Sequence, residues 1–200
     1  VFKYQKVFGE SFTMQDCLAI AALQSTINHI NITRQNELGD DDILVKVEGC
    51  GICGTDVHEY RYNPFGYKEI VLGHEGTGEV VAIGEGVTVD TKGDPIKVGD
   101  KVVTSVLLCG ECDYCRRYPE LPNLCAGLGV YGLIEDDADH HNNGWFAEHI
   151  LVRKNSSIFV VNGMSVDERM LIEPACVCVH SVSSYNPYLH YKQQLFYQWL

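Results

Sequence analysis

Two short phrases between Cys50 and Gly84 carry the side chains best suited to chemistry: Cys53-Gly-Thr-Asp-Val-His58, and Gly73-His74-Glu75 followed by Gly78 and Gly84. A thiolate and an imidazole delivered by separate loops are two of the three protein ligands that a catalytic zinc takes, its fourth position staying open to water or substrate. Two carboxylates, Glu75 and Glu173, can complete the set, one on the metal and the other on it or on its water; their order is open. A single cysteine or histidine is more often a satisfied core residue, so the spaced combination, not any one member, supports the reading.

A second cluster is Cys109-x2-Cys112-x2-Cys115-x9-Cys125. Spacing this tight makes a small loop whose sulfurs can converge tetrahedrally on zinc and leave no position open, which marks a structural site. Disulfides are the alternative. The chain has nine cysteines, an odd number, and five of them stand at metal-ligand spacings. That usage fits a reducing compartment rather than a secreted disulfide scaffold. Cys176 and Cys178 read as buried or incidental thiols. The apolar run Cys17 to Leu23 lacks the basic flank and cleavage site of a signal peptide, so a cytoplasmic location is expected.

These residues need a scaffold, and 200 residues suggest one domain or slightly more. With 46% of residues apolar and no long apolar run, the chain can bury a core in water and has no spanning segment. A net charge of -12 argues against nucleic acid or an anionic membrane as partner; ordinary solubility is the simplest use of that charge.

The chain begins at Val1, and residues 1–17 read as an N-terminal extension without clear period. Leu18 to Leu23 and Asn28 to Thr33 read as an entry hairpin. Further strand candidates are Ile43 to Val47, Ile70 to Leu72, Glu79 to Ile83, Lys101 to Val106, Glu148 to Val152 and Ser157 to Val161. Glycines and Asp/Asn clusters separate these short runs, the pattern of an antiparallel barrel or sandwich. Ser165-Val-Asp-Glu168 has capping-box form, so a helix is expected from Val166 to about Ile172, with Pro174 opening a second one. The tract Asp136 to Asn143 reads as a solvated polar loop. From Ser183 to Leu200 the character changes: six of the eighteen residues are aromatic and none is glycine.

The pattern G-H-E-x-x-G-x5-G, preceded by C-G-T-D-x-H and followed by four closely spaced cysteines, resembles the zinc-containing medium-chain alcohol and polyol dehydrogenases. Within them it is most similar to the sorbitol, threonine and butanediol dehydrogenase branch. The resemblance runs from about Leu18 to Val182. It implies a mainly β, chaperonin-10 (GroES)-like barrel over residues 18–182, with a zinc lobe and short C-terminal helices. It also implies that the Rossmann domain is absent from this chain and that residues 183–200 are a tail foreign to the family, unless they cap the barrel.

The activity implied is oxidation of a secondary alcohol or polyol to a ketone, with hydride passing to NAD or NADP. Cys53 and His74 would hold the catalytic zinc. The polyol branch adds the glutamate directly after the histidine, here Glu75, whereas the alcohol dehydrogenase branch has a cysteine where Glu173 stands. Cys109, Cys112, Cys115 and Cys125 would hold the structural zinc, with a last gap longer than the family's usual one and carrying Pro119 and Pro122. By position, Thr55 and His58 match the family's proton relay, although His58 could equally be a surface histidine. Asp56 either orients His74 or caps the turn after Gly54.

The glycine pattern Gly49-Cys-Gly-Ile-Cys-Gly54 mimics a dinucleotide fingerprint, but the polar stretch from Thr55 to Tyr62 is not expected to form an amphipathic helix behind it. Gly144-Trp-Phe-Ala-Glu148 resembles the family's glycine-phenylalanine-alanine-glutamate turn. Without a fingerprint, the chain by itself is expected to show no turnover; a homo-oligomer is possible when the enzyme is full-length. The rival reading is a non-catalytic, zinc-stabilised GroES-like module. A quinone-reductase relative without catalytic zinc fits poorly with Cys53, His74 and the four cysteines.

Overall fold

Short runs in which alternate residues are apolar fold as strands because only that arrangement buries one face of each run. The structure, a computed structural model, describes residues 38–136 and 143–185. In chain order it contains β1 (Ile43–Gly51), α1 (Gly54–Tyr62), β2 (Glu75–Ile83), β3 (Lys101–Leu107), α2 (Asp113–Arg117), a 3-10 turn at Pro122–Leu124, β4 (Gly129–Val130), β5 (His149–Val152), β6 (Ser156–Val160), α3 (Val166–Met170) and α4 (Ile172–Tyr185). The hairpin expected before Thr33 lies outside the described residues, as do residues 186–200.

All ladders between these strands are antiparallel. β1 lies between β2 and β5, β2 pairs with β3, and β3 pairs in turn with β4 and β6. Only Arg153-Lys154-Asn155 separates β5 from β6, yet the two pair with strands that are not neighbours, β1 and β3. The sheet therefore curls on itself, giving the mainly β half-barrel that the resemblance implies. Val45, Val80, Val102, Ile150 and Val152 line its interior, and Trp145 and Tyr131 fill the centre.

A bulge in β1 ties the barrel to its helices. Val47 pairs with Gly78 and Gly49 with Thr77, which leaves Glu48 as an extra residue. Such a bulge bends the strand and re-aims a side chain. Here the Glu48 carboxylate meets Arg169 Nη1 at 2.8 Å and Lys101 Nζ at 2.6 Å. Arg169, buried on α3, also donates to Thr77 Oγ1 at 3.0 Å. Beside it, Met170 and Val166 occupy the space that a side chain on Gly49 would need. Together these contacts hold α3 on β1 and β2.

Burial opposes ionisation of Glu48, but bonds to Lys101 and Arg169 outweigh it and hold its pKa below 4.5. A carboxyl with a depressed folded pKa contributes stability above its unfolded value and loses it as pH falls through the folded one. Arg169→Met should therefore lower unfolding stability at neutral pH by about 1–3 kcal/mol, read from urea midpoints. The gap to the wild type should narrow below pH 4.5. Equal midpoints at neutral pH would show that the pair holds nothing.

Element ends moved in informative ways. β1 runs past Val47 to Gly51, and β2 begins at Glu75 rather than Glu79, so both strands reach the chemistry-bearing phrases. Ile70 to Leu72 is not a strand; the Leu72 carbonyl instead accepts from Phe146 N–H at 2.9 Å. The Ser165–Glu168 capping box forms, with the Ser165 N–H 2.7 Å from Glu168 Oε2. The helix it opens stops at Met170, and α4 starts at Ile172, ahead of Pro174. Pro174 has no N–H to return to Met170, so the two helices do not fuse into one regular ladder. The tract from Asp136 to Asn143 is not solvated at its ends: Asp136 and Asn143 are buried, and Asn143 Nδ2 donates to the Glu135 carbonyl at 2.8 Å. Residues 137–142 lie outside the description. Among the described residues, no helix is long and apolar enough to cross a membrane.

Candidate metal centres

β1 passes through Ile52 to Cys53, the N-cap of α1. Cys53 has extended backbone, and its N–H donates to Asp56 Oδ2 at 2.8 Å. An acid at the third helical position satisfies an orphan amide and suits the positive end of the helix dipole. At the other end, Asn63 adopts the left-handed conformation with φ 44° and donates its N–H to the Glu59 carbonyl at 2.9 Å. The residues Thr55 to Tyr62 are therefore helical, contrary to expectation. Apolar periodicity misses this helix because Val57 is its one buried aliphatic residue. Its end was marked by Asn63-Pro64, a left-handed cap followed by a residue that cannot continue a helix.

The glycine pattern Gly49 to Gly54 thus does lie between a strand and a helix. It is still no dinucleotide fingerprint, because β1 is antiparallel to both neighbours and Met170 and Val166 already fill the space over Gly49.

Asp56 is fully buried and serves in both of the ways weighed for it. Oδ2 caps α1, while Oδ1 accepts from Gly73 N–H at 3.0 Å and faces His74 Nδ1 at 3.4 Å. An imidazole whose Nδ1 proton faces a carboxylate presents Nε2 as the nitrogen for a metal, which would take the place of a proton there. Ligand atoms of Cys53, His74 and Glu75 all lie within 4.8 Å of one another. Glu173, half-buried in the first turn of α4, is outside that group but within electrostatic reach of His74 and Asp56.

The charges in this pocket do not balance. Burial pushes Glu75 up to about 7, with the neighbouring Glu173 charge adding to it. Burial likewise raises Glu173. Burial opposes the imidazolium of His74, but Asp56 and the Cys53 sulfur outweigh it and raise that pKa to about 11. Three acids and a thiol thus surround one histidine. A divalent cation would neutralise the excess, and a sulfur, nitrogen and oxygen donor set suits zinc. Cys50, buried close by, is pushed well up by burial and by Asp56, so it stays a neutral thiol. Thr55 Oγ1 lies 3.8 Å from Cys53 Sγ. His58 is exposed on the outer face of α1, its ring 6.3 Å from that of Tyr62.

The four lobe cysteines also bring their sulfurs within 4.8 Å of one another. Cys109 Sγ lies 3.5 Å from Cys125 Sγ and 3.9 Å from Cys115 Sγ, and all four are free thiols rather than disulfides, which need about 2.05 Å. Backbone amides of Glu111 and Cys112 lower the Cys109 pKa, and those of Ala126 and Cys115 bring Cys112 to about 6. Burial and the Cys112 and Cys125 sulfurs push Cys115 up to about 12. Amides aimed at sulfur favour thiolates, and thiolates this close need a cation. The long last gap is absorbed locally: Leu121 N–H returns to the Tyr118 carbonyl and Cys125 N–H to that of Pro122, which carries Cys125 back to Cys109. Of the remaining thiols, Cys176 is half-buried and Cys178 is exposed, so only the first approaches the buried reading.

Residues 39–163 match the Alcohol dehydrogenase GroES-like domain. The chain is 35% identical over 155 residues to D-arabitol-phosphate dehydrogenase of Enterococcus avium, an alignment covering 73% of this chain and 38% of that protein. It is 34% identical over 154 residues to sorbitol dehydrogenase of Bacillus subtilis strain 168, covering 74% and 39%. Among solved structures, alcohol dehydrogenase from Thermotoga maritima superposes with a TM-score of 0.59 at 30% identity, covering 68% of this chain and 38% of that one. Fold and matches together define a GroES-like dehydrogenase domain. The chain belongs to the zinc-containing medium-chain alcohol and polyol dehydrogenase family, and it spans about two fifths of the length of these curated relatives.

Proposed function

We propose that residues 18–182 are the catalytic domain of a zinc-dependent dehydrogenase that oxidises a small secondary alcohol or polyol to a ketone in the cytoplasm, with NAD or NADP as hydride acceptor. The convergence of Cys53, His74 and Glu75 within 4.8 Å carries this reading. These three residues would hold a zinc and leave one of its positions to water or substrate. Zinc there would polarise the alcohol oxygen and lower its pKa. Asp56 orients His74, and Glu173 supplies a second carboxylate to the same pocket. Thr55, beside Cys53, takes the alcohol proton outward, and His58 on the exposed face passes it to solvent. Cys109, Cys112, Cys115 and Cys125 would hold a second, structural zinc.

No described element forms the parallel strand, glycine turn and helix that bind a dinucleotide. On this reading the 200-residue chain alone is expected to give no turnover. A direct test needs no cofactor. With cobalt in place of zinc, titration with sorbitol or a simple secondary alcohol should shift the visible bands of the Cys53 site. Bands indifferent to every alcohol and polyol tried would favour the non-catalytic zinc module.

Asp56→Asn keeps the shape and removes the charge. Zinc affinity at the Cys53 site should fall about 10–100-fold in competition with a chromophoric chelator, while the lobe is unchanged. An unaltered affinity would leave Asp56 as a helix cap only.

A further inference from the structure

The phrase carrying His74 and Glu75 is clamped by a segment distant in sequence, Asn143-Gly144-Trp145-Phe146. Trp145 is 1% exposed. Its N–H donates to the Gly73 carbonyl at 2.9 Å, and Phe146 N–H donates to that of Leu72, also at 2.9 Å. A Cβ on Gly76 would run into the indole ring, and one on Gly144 would run into the Val71 carbonyl. Ring and backbone therefore meet with no side chain between them. The indole Nε1 reaches Thr104 Oγ1 on β3 at 3.2 Å, which fixes the rotation of the ring. From another direction, Asp56 Oδ1 holds the Gly73 N–H.

Gly73 is thus tied by its N–H and its carbonyl, and Gly76 is covered by the indole. His74 and Glu75 lie between these two fixed points. Donor atoms aimed at one metal must stay within about 0.5 Å of the productive geometry, and backbone held by packed neighbours is what keeps them there. A tryptophan suits the task because it is large and rigid and has a polar handle to lock its orientation.

We propose that Trp145 is a positioning residue for the Cys53–His74–Glu75 centre: its indole, seated on Gly76, sets where the His74 and Glu75 donor atoms stand relative to Cys53. This inference rests on the zinc reading of that centre. The test is a cobalt titration of the full 200-residue chain, following affinity and visible bands in the wild type, Trp145→Leu, Gly76→Ala, Trp145→Phe and the double variant Trp145→Leu/Gly76→Ala.

Trp145→Leu and Gly76→Ala should each weaken cobalt at the Cys53 site about 10–100-fold and shift its bands, with the four-cysteine site as unchanged control. In the double variant, the smaller leucine gives up space that the new methyl takes, so the loss should be less than the product of the single losses. Trp145→Phe keeps a flat ring on Gly76 but loses the Nε1 bond to Thr104, so its loss should be smaller than that of Trp145→Leu or Gly76→Ala, which keeps the test decisive if Trp145→Leu fails to fold. Single variants that lower the melting temperature yet leave affinity and bands unchanged overturn the proposal. Losses that multiply in the double variant, or a Trp145→Phe site as weak as that of Gly76→Ala, overturn it equally. A wild type that binds cobalt at the lobe but not at Cys53 sinks the zinc reading itself, and this inference with it.

Discussion

Replacing Cys53 with Ser is expected to leave the purified chain with one bound zinc instead of two, counted by mass spectrometry under non-denaturing conditions. Serine preserves size, but its hydroxyl does not ionise near neutral pH and cannot replace a thiolate donor. His74 and Glu75 alone are then too few for a catalytic site. The loss in affinity should exceed the factor of about 10–100 that accompanies removal of an outer partner. The helix itself should survive, since its cap rests on the Cys53 N–H and Asp56, neither of which changes. The second zinc should stay, because the lobe draws all its sulfurs from Cys109 to Cys125 and shares no donor with the first group. Loss of both ions, or of neither, refutes the assignment of two separate sites.

A strong chelator should melt the lobe while the barrel stays folded. The segment has little else to hold it: α2 is five residues long, the 3-10 turn three and β4 two, and neither α2 nor the 3-10 turn has a buried residue. Tyr114, Tyr118, Leu121, Leu124 and Leu128 are exposed. A structural zinc supplies about 10–16 kcal/mol of apparent binding energy to such a segment. Hydrogen exchange reads the outcome locally. Protection at the amides of Arg116 and Tyr118, which bond the Cys112 and Tyr114 carbonyls, should vanish on chelation, whereas the Val80 amide, bonded to the Asp100 carbonyl just ahead of the neighbouring β3, should keep its protection. Unchanged protection at Arg116 and Tyr118 would mean that no stabilising metal sits among the four cysteines.

How much of this was legible in the residues depended on distance along the chain. The capping box at Ser165 and Glu168 is satisfied within three positions, and the alternation in Ile43 to Val47 is written in the run itself although its partners on β2 and β5 lie far along the chain; both appear in the structure. The α1 helix was missed because what secures it is polar: the Asp56 cap, the left-handed Asn63 and the single buried aliphatic Val57. A period of apolar residues cannot report such a helix. The bulge that turns Glu48 toward Arg169 was equally hidden, since an extra residue in a strand shows only once its partner is known.

The sequence by itself determined which side chains were available for chemistry, the spacing of the lobe cysteines, and the antiparallel, mainly β character of the chain, because these follow from residue type and local period. Only the tertiary structure decided which of them meet. It groups Glu75 with Cys53 and His74 and leaves Glu173 within electrostatic reach. It turns Asp56 toward both the helix start and the imidazole, and it seats Trp145 on Gly76. Those contacts join segments that are far apart in the chain, and the curl of the sheet that brings them together comes from pairing and packing that no single stretch encodes.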